Sequence, residues 1–155
     1  MIKEVLQVYD MNEASGLARF LDAQKETFDE ALQEIKEGKK RSHWMWYIFP
    51  QLKGLGFTDI SKYYAIKDLR EASEYLNHPI LGSRLIMISS ALLELTTRDA
   101  YKIFGLPDEL KLKSSMTLFS LVDGADAVFQ QVIDEFFGGE KDQKTLNLLS
   151  GEIGK

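Results

Sequence analysis

Residues 36–57 read KEGKKRSHWMWYIFPQLKGLGF and hold both tryptophans of the chain, Trp44 and Trp46. Indole faces can stack a base or a nicotinamide-like ring. Lys39, Lys40, Arg41 and Lys53 surround them with cations suited to phosphate. Gln51 can orient a ribose hydroxyl or a water, and Gly54 and Gly56 let backbone approach a ligand closely. His43 is of the side-chain type that exchanges protons near neutral pH, which suits a general acid or base. Read together, these residues form part of a nucleotide-like pocket. His43 would be catalytic, Trp44 and Trp46 would stack the ring, and Arg84 with Lys53 or Lys113 would hold phosphate. The same residues also read as packing: an aromatic run is commonly core, and a basic triplet after a helix stop is commonly a solvated corner. Gly54-Leu55-Gly56 lacks the Gly-Lys-Ser/Thr ending of a phosphate loop and reads as a turn.

Three other features carry chemical potential. Arg84 sits in an otherwise apolar helical pattern, and a buried arginine needs an anionic partner, either a structural carboxylate or a ligand phosphate. Lys111 to Phe119 interleaves two lysines with Ser114, Ser115 and Thr117, which can line a polar pocket or bond back to the preceding turn. His78 precedes Pro79 at a helix start and reads as a cap or turn element.

Composition narrows the chemistry further. The 155 residues contain no cysteine and two histidines, so disulfides, thiolate metal sites and a three-histidine metal centre are excluded. No metal or cofactor is implied by the residue spacing. A net charge of −5 argues against coating nucleic acid by charge, although Lys36, Lys39, Lys40 and Arg41 would be the group to do so. No apolar run approaches the roughly 20 residues of a membrane-spanning helix. The N-terminus lacks signal-peptide features. The expected setting is cytoplasmic, without a membrane partner.

The elements that must position these residues are read from helical periodicity. Phe28, Ala31, Leu32 and Ile35 form one apolar stripe, with Thr27 and Glu30 at capping-box spacing and Gly38 as a stop. Further helices are expected at Asp68–Asn77, after Pro79 through Leu81, Leu85, Ile88, Leu92 and Leu95, and at Asp99–Phe104. Others are expected after Pro107 around Leu110, Leu112, Met116, Phe119 and Val122, and at Asp126–Phe137. Thr145–Leu149 should be a closing turn docked through Leu146 and Leu149. The helix after Pro79 is expected to be central. His43–Phe49 is either a strand or a buried helical turn. The fold expected is mainly α: a single compact, irregular helical domain over 1–155, with a core of about 17–149.

The segments SHWMWYIFPQLKGLG (42–56), YAI (64–66), EASEYLNHPILGSRL (71–85), IFGLPDELKLKSSMTLF (103–119) and TLNLL (145–149) resemble the mainly helical domain-of-unknown-function family 1810. His43-Trp44-Met45-Trp46 with Phe49-Pro50-Gln51 carries the likeness most specifically. Members of that family are often labelled calpastatin, a disordered inhibitor class that this apolar-periodic chain does not fit. In layout the chain is also similar to NADAR proteins, linked to NAD and ADP-ribose, some of which are N-glycosidases. Gly82 and Arg84 fall at that family's Leu-Gly-Arg element, whereas the glutamate leading its early Glu-His-Tyr-like motif has no clear counterpart. This likeness implies a NADAR-like fold and an ADP-ribose-like ligand, with an N-glycosidase-type hydrolase as one outcome.

Two functional classes remain open on the sequence. One is a domain that binds a nucleotide-like small molecule. The other is a non-enzymatic interaction or dimerisation domain, in which the aromatic run is core or an exposed patch.

Overall fold

Apolar side chains repeating at three- and four-residue steps fold the described residues mainly as helix. The computed structural model describes residues 15–153, and these form ten helices. They are α1 (Ser15–Gln24), α2 (Phe28–Lys36), α3 (Met45–Ile48), α4 (Asp59–Tyr63), α5 (Leu69–Asn77), α6 (Leu81–Leu93), α7 (Ala100–Phe104), α8 (Asp108–Ser120), α9 (Val128–Phe137) and α10 (Gln143–Ile153). Seven of them span at most ten residues, and three of those seven, α3, α4 and α7, are single turns or little longer, which gives the irregular, mainly α architecture. The ambiguous His43–Phe49 stretch contains α3, a single buried helical turn. The one β-type contact among the described residues is a parallel bridge between Leu52 and Ile66.

Two long helices organise the core. α6 packs against α2, α5 and α9, as its apolar periodicity predicts. α8 packs against α5, α7, α9 and α10 and is buried at Leu112 and continuously from Ser114 to Phe119. The central position is therefore shared between α6 and α8. Leu110, expected to face the core, is exposed at the start of α8. Aromatic contacts thread the interior: Tyr75 lies 5.1 Å from Phe20 and 5.3 Å from Phe119. Pairs of this kind contribute about 0.5–1.5 kcal/mol beyond area burial.

Helix ends follow local chemistry in most places. Asp68 Oδ1 accepts from the Glu71 N–H at 2.9 Å, and Asp99 Oδ1 accepts from the Tyr101 and Lys102 N–H groups. His78 is a cap, its Nδ1 accepting from the Ile80 and Leu81 N–H groups at 3.1 and 3.3 Å. Thr27 departs from the capping-box expectation. Its backbone is already helical as the chain passes from α1 to α2, so its side chain makes no cap bond. Glu30, the other half of that pattern, instead faces the Ser42 hydroxyl, whose single proton it shares with Glu34. Gly82 has a packing role, because a Cβ there would lie 2.0 Å from the Leu76 carbonyl oxygen. Only glycine lets α6 approach the end of α5 this closely. At the C-terminal end the closing turn is a full helix, α10, with Leu149 fully buried and Leu146 half-buried.

Candidate functional site

The aromatic stretch is fixed first by a carboxylate that sequence reasoning did not single out. Glu34, on α2 beside the apolar stripe, is buried. Its Oε1 accepts from the Arg41 N–H at 2.7 Å, the Ser42 N–H at 3.0 Å and the Trp44 indole Nε1–H at 2.9 Å. Its Oε2 accepts from the Ser42 hydroxyl at 2.6 Å. Burial pushes the Glu34 carboxyl up, but the Ser42 hydroxyl, the Arg41 N–H, the Trp44 indole and the Ser42 N–H outweigh it, holding it lowered to about 2. The residues after α2 are thereby tied to its inner face.

This clasp decides the two tryptophans differently. Trp44 is fully buried, packed on Phe49 and Phe104, with Lys40 Nζ 4.9 Å from its ring centroid. No face is free to stack a ligand ring, so Trp44 is a core residue. Two residues on, on the other side of the α3 turn, Trp46 is half-buried, and Lys111 Nζ lies 5.2 Å from its ring. The basic triplet is also divided. Lys40 is nearly buried and pairs with Asp108 at 2.9 Å, Arg41 pairs with Glu37, and Lys39 is exposed. It therefore offers no continuous cationic patch.

The segment after α3 is closed into a loop by backbone pairing. Ile66 N–H donates to Gln51 O and Lys53 N–H to Ile66 O, both at 2.8 Å. Arg19 locks the far side, donating to the Tyr63 and Ala65 carbonyls at 2.6 Å and pairing with Glu71 at 3.3 Å. Gln51 is thus held at the lip of a cleft of about 500 Å³. The opposite wall is the start of α8, with Leu110, Lys111, Lys113 and Ser114, and the approach to α10, with Glu140, Asp142 and Lys144. A smaller recess beside it contains Trp46 and shares Gln51, Gly56 and Ser61 with the larger cleft.

The polar groups of the cleft are partly committed. Asp142 Oδ2 accepts from Ser114 Oγ at 3.0 Å, and from the Thr145 N–H and hydroxyl at 3.1 and 2.6 Å, which caps α10. Lys113 pairs with Glu140 at 2.7 Å. The Lys113 hydrogen bond, then its charge, lower the Glu140 carboxyl below its ordinary value. Glu140 is highly exposed, so this pair can open at small cost. Lys111 is loosely placed, 3.7 Å from Asp108, and Lys144 is exposed.

Of the residues expected to form the pocket, Gln51 and Lys113 line this cleft and Trp46 the adjoining recess. His43 is exposed and lines neither. Lys53 is exposed, bound into the loop through its backbone. Arg84 is half-buried on α6, with Nη1 donating to Gln24 Oε1 at 3.3 Å and its guanidinium 5.3 Å from the Phe28 ring. Lys111, Ser114, Glu140, Asp142 and Lys144 are among the other residues that line the cleft. The lysine–hydroxyl run of α8 signalled the first two; the acidic residues gave no signal, because their place depends on how the turn after α9 folds back on α8.

Comparison with solved structures finds the crystal structure of the conserved hypothetical protein Rv1873 from Mycobacterium tuberculosis. It is 41% identical, with a TM-score of 0.84, and the match covers 86% of this chain and 96% of that one. Comparison with curated proteins finds no match. The family model described as a protein of unknown function (DUF1810) matches residues 14–149. That span includes the clasp, the loop and both walls of the cleft, and the chain belongs to the DUF1810 family.

Proposed function

We propose that this protein binds a nucleotide-like small molecule in the cleft between the 51–61 loop and α8. The observation that carries the reading is the placement of Gln51 and Lys113 on one cleft of about 500 Å³, with Trp46 in the recess beside it. That volume falls within the usual range for small-molecule sites. Leu55 and Leu110 offer apolar surface to a ring, while Lys111, Lys113 and Lys144 offer phosphate contacts. Gln51 and Ser61 supply hydroxyl-directed hydrogen bonding. The layout similar to NADAR proteins makes ADP-ribose the first ligand to test. Binding is proposed rather than N-glycoside hydrolysis, since Asp142 is engaged in capping α10 and His43 lies outside the cleft.

Thermal unfolding with ADP-ribose, NAD and AMP tests this directly. Saturable stabilisation of the full chain, about 2.7 kcal/mol at a hundredfold excess over Kd, is expected and should weaken in Lys113→Gln. No stabilisation at millimolar concentrations of any of the three overturns it.

A second reading, an interaction or dimerisation surface, is favoured by one observation. Phe57 is 85% exposed on the 51–61 loop, and Tyr63, at the end of α4, is 60% exposed. Concentration-dependent association that disappears in Phe57→Ser would support it.

A further inference from the structure

The chain contains five arginines, Arg19, Arg41, Arg70, Arg84 and Arg98, all within the described residues. Four of them meet a carboxylate: Arg19 faces Glu71, Arg41 faces Glu37, Arg70 faces Glu74 and Arg98 faces Glu135. Arg84 meets none among the described residues, although it is half-buried and therefore has the more to gain from one. Its protein contacts are a hydrogen bond from Nη1 to Gln24 Oε1 and the face of Phe28.

The neighbour that receives this hydrogen bond is itself held rigidly. Gln24 is 1% exposed, and its Nε2 donates to the Tyr47 carbonyl at 2.7 Å and to the Tyr75 hydroxyl at 2.9 Å. Both amide protons are used, so the amide cannot turn, and Oε1 points at Arg84. A buried glutamine fixed in this way orients the guanidinium without neutralising it. The Nε–H and the Nη2 edge remain unpaired among the described residues, and this edge is the fork that takes two oxygens of a carboxylate or phosphate side by side. Phe28 supports the flat face of the cation.

We propose that Arg84, oriented by Gln24, is an oxyanion-docking point separate from the cleft, taking the paired oxygens of a phosphate or carboxylate group. The sequence alone expected either a structural carboxylate or a ligand for this arginine, and the fold supplies a neutral positioning residue in place of the carboxylate. The inference stands independently of the nucleotide reading, because Arg84 does not line the cleft.

Arginine Nε–H resonances in nitrogen–proton correlation spectra report on this directly, with the Arg84 signal identified by its loss in Arg84→Lys. The full chain is titrated with inorganic phosphate, with acetate and, at matched ionic strength, with chloride. The Arg84 signal should move saturably with phosphate, with acetate or with both, at least threefold further than those of the four paired arginines. Which of the two anions saturates identifies the chemistry. Gln24→Leu should weaken that saturation at least threefold; should that variant fail to fold, Gln24→Met is used. A response no larger than that of the paired arginines, or one that chloride reproduces, overturns the proposal. Unchanged anion affinity in a folded Gln24 variant overturns the positioning role. Loss of ADP-ribose binding in Lys113→Gln with the Arg84 response intact would separate the two sites.

Discussion

Glu34 Oε1 accepts the indole N–H of Trp44 at 2.9 Å, inside the core, and so joins α2 to the most distinctive stretch of the sequence. The same carboxylate gathers the Arg41 and Ser42 backbone N–H groups, so one buried anion turns the chain at the end of α2 and seats the aromatic run. Replacing Glu34 by Ala leaves these donors without an acceptor. A loss of about 2–4 kcal/mol is expected, measured by urea unfolding at pH 7.

The Glu34 clasp also sets an acid response. Its carboxyl is lowered from 4.5 to about 2 in the folded chain, so the folded state favours the ionised form. That stabilisation is fully present above pH 4.5 and is lost as pH falls through 4.5 towards 2. Urea midpoints measured across this window should fall with pH in the parent protein and fall less steeply in Glu34→Gln.

Gly82→Ala places a methyl group against the Leu76 carbonyl oxygen, at 2.0 Å in the undisturbed backbone. The α5–α6 contact must open, at a cost of about 2–3 kcal/mol or more. For a chain of this size the melting temperature should drop by roughly 5–10 °C. An unchanged melting temperature would mean that the helices are not held this close.

The two tryptophans give separable optical signals. Trp44 is sealed in the core and Trp46 is half-exposed beside the cleft. Acrylamide should therefore quench only part of the fluorescence. Trp46→Phe should remove the quenchable part and any change caused by a ligand in the cleft.

Under the proposed binding mode, the Lys113–Glu140 pair would compete with an anionic ligand for the lysine. Glu140→Gln should raise affinity for a phosphate-bearing ligand about two- to fivefold, the range expected of an exposed ion pair, and Lys113→Gln should lower it. Calorimetric titration reads both. His43→Ala, at an exposed position outside the cleft, should leave binding unchanged and stability within about 0.5 kcal/mol.

Local signals were strong where the physics is local. The apolar repeats of α6 and α9, the His78 cap and the stop at Gly38 each depend on residues a few positions apart. They could be read directly from the chain. Thr27 failed as a cap because tertiary packing ran α1 almost directly into α2, which left its backbone helical. The aromatic stretch was legible as important, but not as to which residue does what. Trp44 and Trp46 differ by two positions, about half a helical turn, and only the site of Glu34 decides which is core.

The sequence by itself determined the helical class, the approximate helix boundaries, and the absence of thiol chemistry, because periodicity, capping and composition act within one or two turns. Tertiary structure alone decided the site. It brought Gln51, Lys113 and Glu140 to one cleft, sent His43 outward, and gave Arg84 a glutamine in place of a carboxylate. These outcomes rest on contacts such as Arg84 with Gln24, 60 positions apart. Which charge meets which partner at that separation is set by how the helices pack, and no local pattern records it.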